Sequence, residues 1–192
     1  MTKSNVTHQH ILRVADEMFS TKGYKSVRLR EVAQVVGLKH TAIYYYADSK
    51  EDLYVQVMER NFKRHQQGME DAIAEADRDI RAQMKAVASW LMSQTPMHLG
   101  RMIQADFEEL RPENAARLNQ LVFDSMRLPL EKALLSAQEQ HLIETTNPSL
   151  AAISFISLME TVHSMKFATS RKEKESIADT TIDIFLNGLL VR

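Results

Sequence analysis

The chain predicts an all-α fold, on three observations. Glycine and proline are scarce, five and four in 192 residues, whereas the strong helix formers Ala, Leu, Glu, Lys, Gln and Met are plentiful. Apolar residues recur three and four positions apart along most of the chain, the spacing that lines one face of a helix. Cap residues stand where those runs begin and end. At 192 residues and 44% apolar content, the chain can bury a core and form one or two domains. No apolar run approaches the ~18 residues that suit a membrane span, and no basic-then-apolar leader opens the sequence, so a cytoplasmic address with no membrane partner is expected. With no cysteine, disulfides, thiolate catalysis and cysteine-ligated zinc are excluded.

The elements follow in order. Ile11, Val14, Ala15, Met18 and Phe19 define one face of a first helix that ends at Lys22-Gly23, with glycine as the C-cap. Leu29, Val32, Ala33 and Val36 repeat the pattern and stop at Gly37. Ser49 caps a helix with an acidic residue at its third position, Asp52, and the apolar series Leu53, Tyr54, Val57, Met58 and Phe62 carries it toward residues 70–76. Asp79 caps a helix to Thr95, Pro96 opens one toward Leu110, and Pro112 starts another that Pro129 kinks or divides. Asn147-Pro148 begins a helix to about Ala168, and the last helix runs from about Glu173 to Leu190. No internal repeat or low-complexity segment is present.

Charge is polarised along the chain. Residues 1–65 hold 11 Lys and Arg against 7 Asp and Glu, whereas the remainder holds 13 against 18. A cationic module suits a phosphate-bearing partner. Within it, the space between Gly37 and Ser49 fits one short helix, about His40 to Tyr46, too short to persist alone in water and therefore held by packing. Ile43, Tyr46 and Ala47 share its inner face, and His40, Thr41, Tyr44 and Tyr45 share the outer one. A helix, a glycine turn and a short second helix with polar and aromatic side chains outward is the helix-turn-helix arrangement, which sets its second helix in the DNA major groove.

Three stretches, ILRVADEMFSTKGYKSV, LREVAQVVGL and TAIYYYADSKEDL, resemble the TetR family of transcriptional regulators over about the first 60 residues. The resemblance implies an N-terminal three-helix DNA-binding domain, set here at residues 1–48, and a helical ligand-binding and dimerising domain at 49–192. Tyr44 matches a family tyrosine whose hydroxyl reaches a backbone phosphate, and Lys50 matches a lysine that does the same; Arg28, Arg30 and Lys39 are further phosphate candidates. His40, Thr41 and Tyr45 are the candidates for base edges. The chain departs from the family pattern at Arg28, where Ser or Thr usually caps the second helix, and at Lys39, where serine is usual. It departs again at His40-Thr41, usually Lys-Gly, and at Ala47, usually aromatic. Base preference is therefore not carried over from any relative.

One short recognition helix reads few bases, so a homodimer on a near-palindromic double-stranded operator is expected. The last two helices are apolar on most sides and need a neighbour beyond their own core. Ile153, Ile156, Ile177, Thr181, Ile184, Phe185 and Gly188 are the interface candidates. Eight of eleven methionines lie beyond residue 65 and suit an adaptable, mostly apolar effector cavity. Trp90, Met102, Asp106, Phe123, Met159 and His163 are the pocket candidates, with His98 and Glu160 as further polar groups. A small-molecule effector would act by differential affinity for two states of the dimer. The competing readings are an all-α metal-dependent enzyme and a helical interaction protein without DNA binding. The enzyme lacks its constellation: Glu160-x-x-His163 has no second copy, and no phosphate loop or nucleophile elbow is present. No enzyme activity, cofactor or metal is expected.

Overall fold

The computed structural model describes residues 3–165, 167 and 170–187, and its regular structure among these is entirely helical. The helices are α1 (Lys3–Lys22), α2 (Leu29–Val36), α3 (His40–Ile43), α4 (Lys50–Glu75), α5 (Ile80–Ser93), α6 (Leu99–Arg101), α7 (Pro112–Val122), α8 (Leu128–Glu139), α9 (Pro148–Ser164) and α10 (Arg171–Asn187). α6 continues as a π turn (Met102–Asp106) and a 3-10 turn (Phe107–Glu109), and a second π turn (Phe123–Arg127) joins α7 to α8. Two compact units result: Met1–Asn61 with Met97–Leu121, and Phe62–Pro96 with Val122–Arg192.

In the first unit, α1 buries Ile11, Val14, Ala15 and Phe19, and α2 buries Leu29, Val32 and Ala33. Each ends at a glycine in the left-handed region, Gly23 at φ 77° and Gly37 at φ 79°, where a side chain would be strained. The Gly23 N–H donates to the Phe19 carbonyl at 2.9 Å, continuing the bonding of α1 for one more residue. α4 opens as its sequence dictates: the Asp52 N–H donates to Ser49 Oγ at 3.0 Å, and Asp52 Oδ2 accepts from the Asp48 N–H at 3.0 Å.

The observed division differs from a boundary after residue 48. The first half of α4 brings Leu53, Tyr54, Val57 and Met58 into buried positions of the first unit, and residues 97–121 join it through long-range polar contacts. Arg101 Nη2 donates to the Ser20 carbonyl at 3.1 Å, and Lys25 Nζ to Glu109 at 2.7 Å. Glu51 accepts from Asn114 Nδ2 at 2.7 Å and from the Arg111 backbone at 2.9 Å. Burial opposes ionisation of Glu51, but the bonds from Asn114 and Arg111 outweigh it and hold the carboxyl below its ordinary value.

Three local expectations are corrected. α3 has four helical residues rather than seven, because Tyr44 to Tyr46 close as a tighter turn, with the Tyr46 N–H on the Ile43 carbonyl at 2.9 Å. Pro96 does not open a helix: Gln94 is extended, His98 takes a left-handed φ of 54°, and α6 begins only at Leu99. The last helix starts at Arg171 rather than Glu173, since Ser170 Oγ accepts from the Glu173 N–H at 3.2 Å and Glu173 returns a bond to the Ser170 N–H at 3.0 Å. The expected ends at Ala168 and Leu190 lie outside the described residues.

The division at Pro129 takes a specific form. Proline has no N–H and its ring crowds the carbonyl four residues back, here Ser125, so the chain widens to a π turn at Phe123–Arg127 before α8 resumes with proline in its first turn.

In the second unit α5, α8, α9 and α10 pack together. The α5 and α10 helices are registered by an antiparallel ladder in which Arg81 pairs with Asp183, Lys85 with Asp179 at 3.4 Å, and Ser89 Oγ bonds Glu175 at 3.5 Å. These partly exposed pairs fix register more than they add stability. Where the second half of α4 meets α5, the Trp90 indole lies directly on Gly68; a Cβ there would fall 2.0 Å from the ring. Gly68→Ala gains about 1 kcal/mol of helix propensity but overpacks a bulky ring at a cost of about 1–3 kcal/mol. A net loss of stability with a displaced Trp90 emission maximum is expected; a more stable variant would contradict this contact.

Candidate nucleic-acid interface

The surface of α2, the Gly37 turn and α3 follows from which residues the core takes. Ile43 and Ala47 are buried, and His40, Thr41, Tyr44 and Tyr45 are exposed, Tyr45 by 80%. Tyr44 is 46% exposed, with its ring edge-on to His40 at 5.4 Å between centroids. Tyr46, expected inside with Ile43 and Ala47, is only half-buried. Its ring lies 5.7 Å from His8, and its carbonyl accepts from Gln56 Nε2 at 3.1 Å. His8 Nε2 also lies 2.8 Å from Gln56 Oε1, so α1 and α4 together grip the end of this segment. The smaller Ala47 takes the core place instead. Periodicity pointed to Tyr46, and the tightened turn after Ile43 explains the change.

No carboxylate occurs between Glu31 and Asp48. Arg28, Arg30 and Lys39 are exposed and make no ion pair among the described residues. Arg28 and Lys39 stand at the N-cap positions of α2 and α3 without a side-chain cap bond. Lys50 is different. Its ammonium donates to the Tyr24 carbonyl at 3.1 Å and more weakly to the Lys25 carbonyl at 3.5 Å, and it sits 4.1 Å from the Tyr24 ring centroid. Burial lowers its pKa, partly offset by Glu109.

The turn that Lys50 holds from one side is held from the other by Asp106. The Tyr24 N–H donates to Asp106 Oδ1 at 3.0 Å, and the Tyr54 hydroxyl donates to Oδ2 at 3.5 Å. Burial, then the Asp106 charge, raises the Tyr54 pKa. Phe19, Tyr24 and Tyr54 form an aromatic cluster, with Tyr24 and Tyr54 4.9 Å apart. Asp106 was expected at an effector pocket; in the structure both its oxygens are engaged within the first unit. Sequence reasoning missed this latch, since 82 residues separate the partners.

Residues 11–57 match the family model for bacterial regulatory proteins of the tetR family. Over this stretch the chain is similar to the tetR family of regulators. A curated relative, the HTH-type transcriptional regulator AcrR of Shigella flexneri, is 42% identical over 53 residues, which cover 28% of this chain and 25% of that protein. Thus the matched stretch spans a quarter of that relative's length. Solved structures share the fold over nearly the whole chain. The transcriptional regulator FadR of Bacillus subtilis, in complex with stearoyl-CoA, aligns with a TM-score of 0.74 at 17% identity, covering 94% of this chain and 98% of its own. AibR, in complex with isovaleryl coenzyme A and operator DNA, aligns at 0.75 and 17% with the same coverages, 94% and 98%.

The remaining candidates are dispersed. Met102 and Asp106 are buried in the first unit, whereas Trp90, Phe123, Met159 and His163 belong to the second. Met159 is buried, Phe123 is exposed, and His163 is half-buried with its carbonyl accepting from Lys174 Nζ. Among the interface candidates Ile156 is buried, Ile153, Ile177, Thr181 and Phe185 are half-buried, and Ile184 is 70% exposed. Phe185 packs on Phe155 at 5.9 Å, and Gly188 lies outside the described residues. No three His, Asp or Glu side chains among the described residues converge as a metal site requires, and no described helix is long and apolar enough to cross a membrane.

Proposed function

We propose that the chain is a ligand-responsive transcriptional repressor that binds a near-palindromic duplex operator as a homodimer and is released by a small, largely apolar effector. The carboxylate-free outer surface of α3 carries this reading, with His40, Thr41, Tyr44 and Tyr45 outward over a buried Ile43 and Ala47. A short segment held from beneath and polar outward suits the major groove. Arg28, Arg30, Lys39 and the Tyr44 hydroxyl contact phosphates; His40, Thr41 and Tyr45 read base edges. Lys50 has three donors, of which two serve backbone carbonyls, leaving one for a phosphate.

The test is selection of bound sequences from a random duplex pool, followed by gel shifts against ionic strength. Arg28→Ala and Lys50→Ala are expected to weaken every duplex and flatten the salt slope by about one unit each, whereas His40→Ala and Thr41→Ala change which bases are preferred. If no duplex is retained even at low salt, the reading fails.

The partner copy docks on the exposed side of α9 and α10. Phe185 already packs within its own unit, so Ile184→Glu is the cleaner probe. It is expected to give monomers by light scattering and to lower operator affinity; a dimeric variant would redirect the interface elsewhere. FadR and AibR were solved with acyl-coenzyme A thioesters, so these are the first effectors to add. A coupling of about 1–3 kcal/mol would change duplex affinity by about 5- to 150-fold.

A further inference from the structure

Four polar or charged residues are buried among the described ones: Asn61, His65, Asp106 and Ser125. The two in the first unit each make hydrogen bonds, Asp106 through both oxygens and Asn61 through Nδ2 to Asp16 Oδ1 at 2.7 Å, although Asn61 Oδ1 has no partner. The two in the second unit make no side-chain hydrogen bond at all. His65 is 2% exposed and neither ring nitrogen has a partner; Ser125 is fully buried and its Oγ has none. Native interiors pair such groups, so two unpaired ones in one unit call for a specific cause.

Their settings point to a guest. His65 and Gly68 are one turn apart on α4, and the Trp90 ring rests on Gly68 while meeting the imidazole edge-on at 5.0 Å. Ser125 lies within the π turn, a widening of the helix that recurs at functional sites. The buried surroundings in this unit are otherwise apolar, including Phe62, Met69, Met84, Leu130 and Phe155.

We infer that His65 is the polar anchor of an interior binding site in the second unit, beside Trp90, for an apolar molecule that carries one uncharged hydrogen-bonding group. Burial, with Arg64 nearby, pushes the His65 pKa down to about 3, so the ring is neutral and offers one N–H donor and one acceptor. A hydroxyl answers both. A carboxylate would lose its hydration without gaining a countercharge from a neutral ring. As the site of the effector, this inference rests on the regulator reading, but binding itself is measured without DNA, so either can fail alone.

Trp90 is the sole tryptophan and reports directly. Octan-1-ol and 2-phenylethanol are titrated into the full chain at neutral pH while Trp90 emission is followed, with octanoate as the charged comparison. At least one alcohol is expected to give a saturable change and to bind more tightly than octanoate. His65→Leu, which keeps bulk but no polar atom, should weaken that alcohol by about tenfold or more, and His65→Gln, which keeps a donor and an acceptor, should retain most of the affinity. Equal binding by His65→Leu, preference for octanoate, or no saturable response to either alcohol would overturn the assignment. Circular dichroism of both variants confirms that they fold before titration.

Discussion

Replacing Asp106 with alanine is expected to lower stability by about 2–4 kcal/mol, because each buried donor left without its charged acceptor costs roughly 1–3 kcal/mol. Two donors are affected, the Tyr24 N–H at 3.0 Å and the Tyr54 hydroxyl at 3.5 Å, and the shorter bond carries the larger share. Asp106→Asn keeps one carbonyl acceptor and should recover about half of the loss. The denaturant midpoint measures the total. Hydrogen exchange at the Tyr24 amide measures the local part, which should accelerate most of all in the first unit. An unchanged midpoint together with a still-protected Tyr24 amide would mean that the carboxylate is dispensable to the turn. Because that turn leads directly into α2, operator affinity is expected to fall with it.

The second large effect is acid sensitivity from His65. An unfolded histidine takes up its proton near pH 6.5, whereas the buried ring does so only near 3. Between those values the unfolded chain binds the extra proton, so stability falls as pH falls. The penalty is absent above pH 6.5, reaches about 2 kcal/mol at pH 5 and grows until the folded ring also titrates. Burial is the main cause, and the Arg64 charge adds to it. His65→Leu is expected to remove this term and to be the more stable protein at neutral pH, since it no longer buries two unbonded nitrogens. Chemical denaturation of both proteins at pH 7.5 and 5.0 decides it. Parallel losses in the two would assign the acid sensitivity to other groups.

Local signals in the sequence recover most of the helices. Gly23, Gly37, Ser49, Asp79 and Asn147 each terminate or start an element as residue chemistry requires, since these effects act within one turn. The outward set His40, Thr41, Tyr44 and Tyr45 was legible for the same reason, being fixed by spacing alone. Residues 97–109 were not, because π and 3-10 turns have no period of their own and tertiary contacts select them. The Asp106 latch depends on a contact between distant segments that no local pattern records. His65 did leave a trace: Met58, Phe62, His65 and Met69 follow the three-and-four spacing of a buried stripe, so the histidine stands where an apolar residue belongs.

The widened turn at Phe123–Arg127 sets the rotational phase of everything after it. An α-helix advances about 100° per residue and a π turn fits roughly one more residue into the same rotation, so winding all five of these residues as regular helix would swing Leu130, Ala133, Leu134 and Ala137 by about that angle, away from the interior they now fill. Descendants of this sequence can lose one residue here and keep α8 in phase, whereas straightening the segment at its present length would demand a rewritten α8.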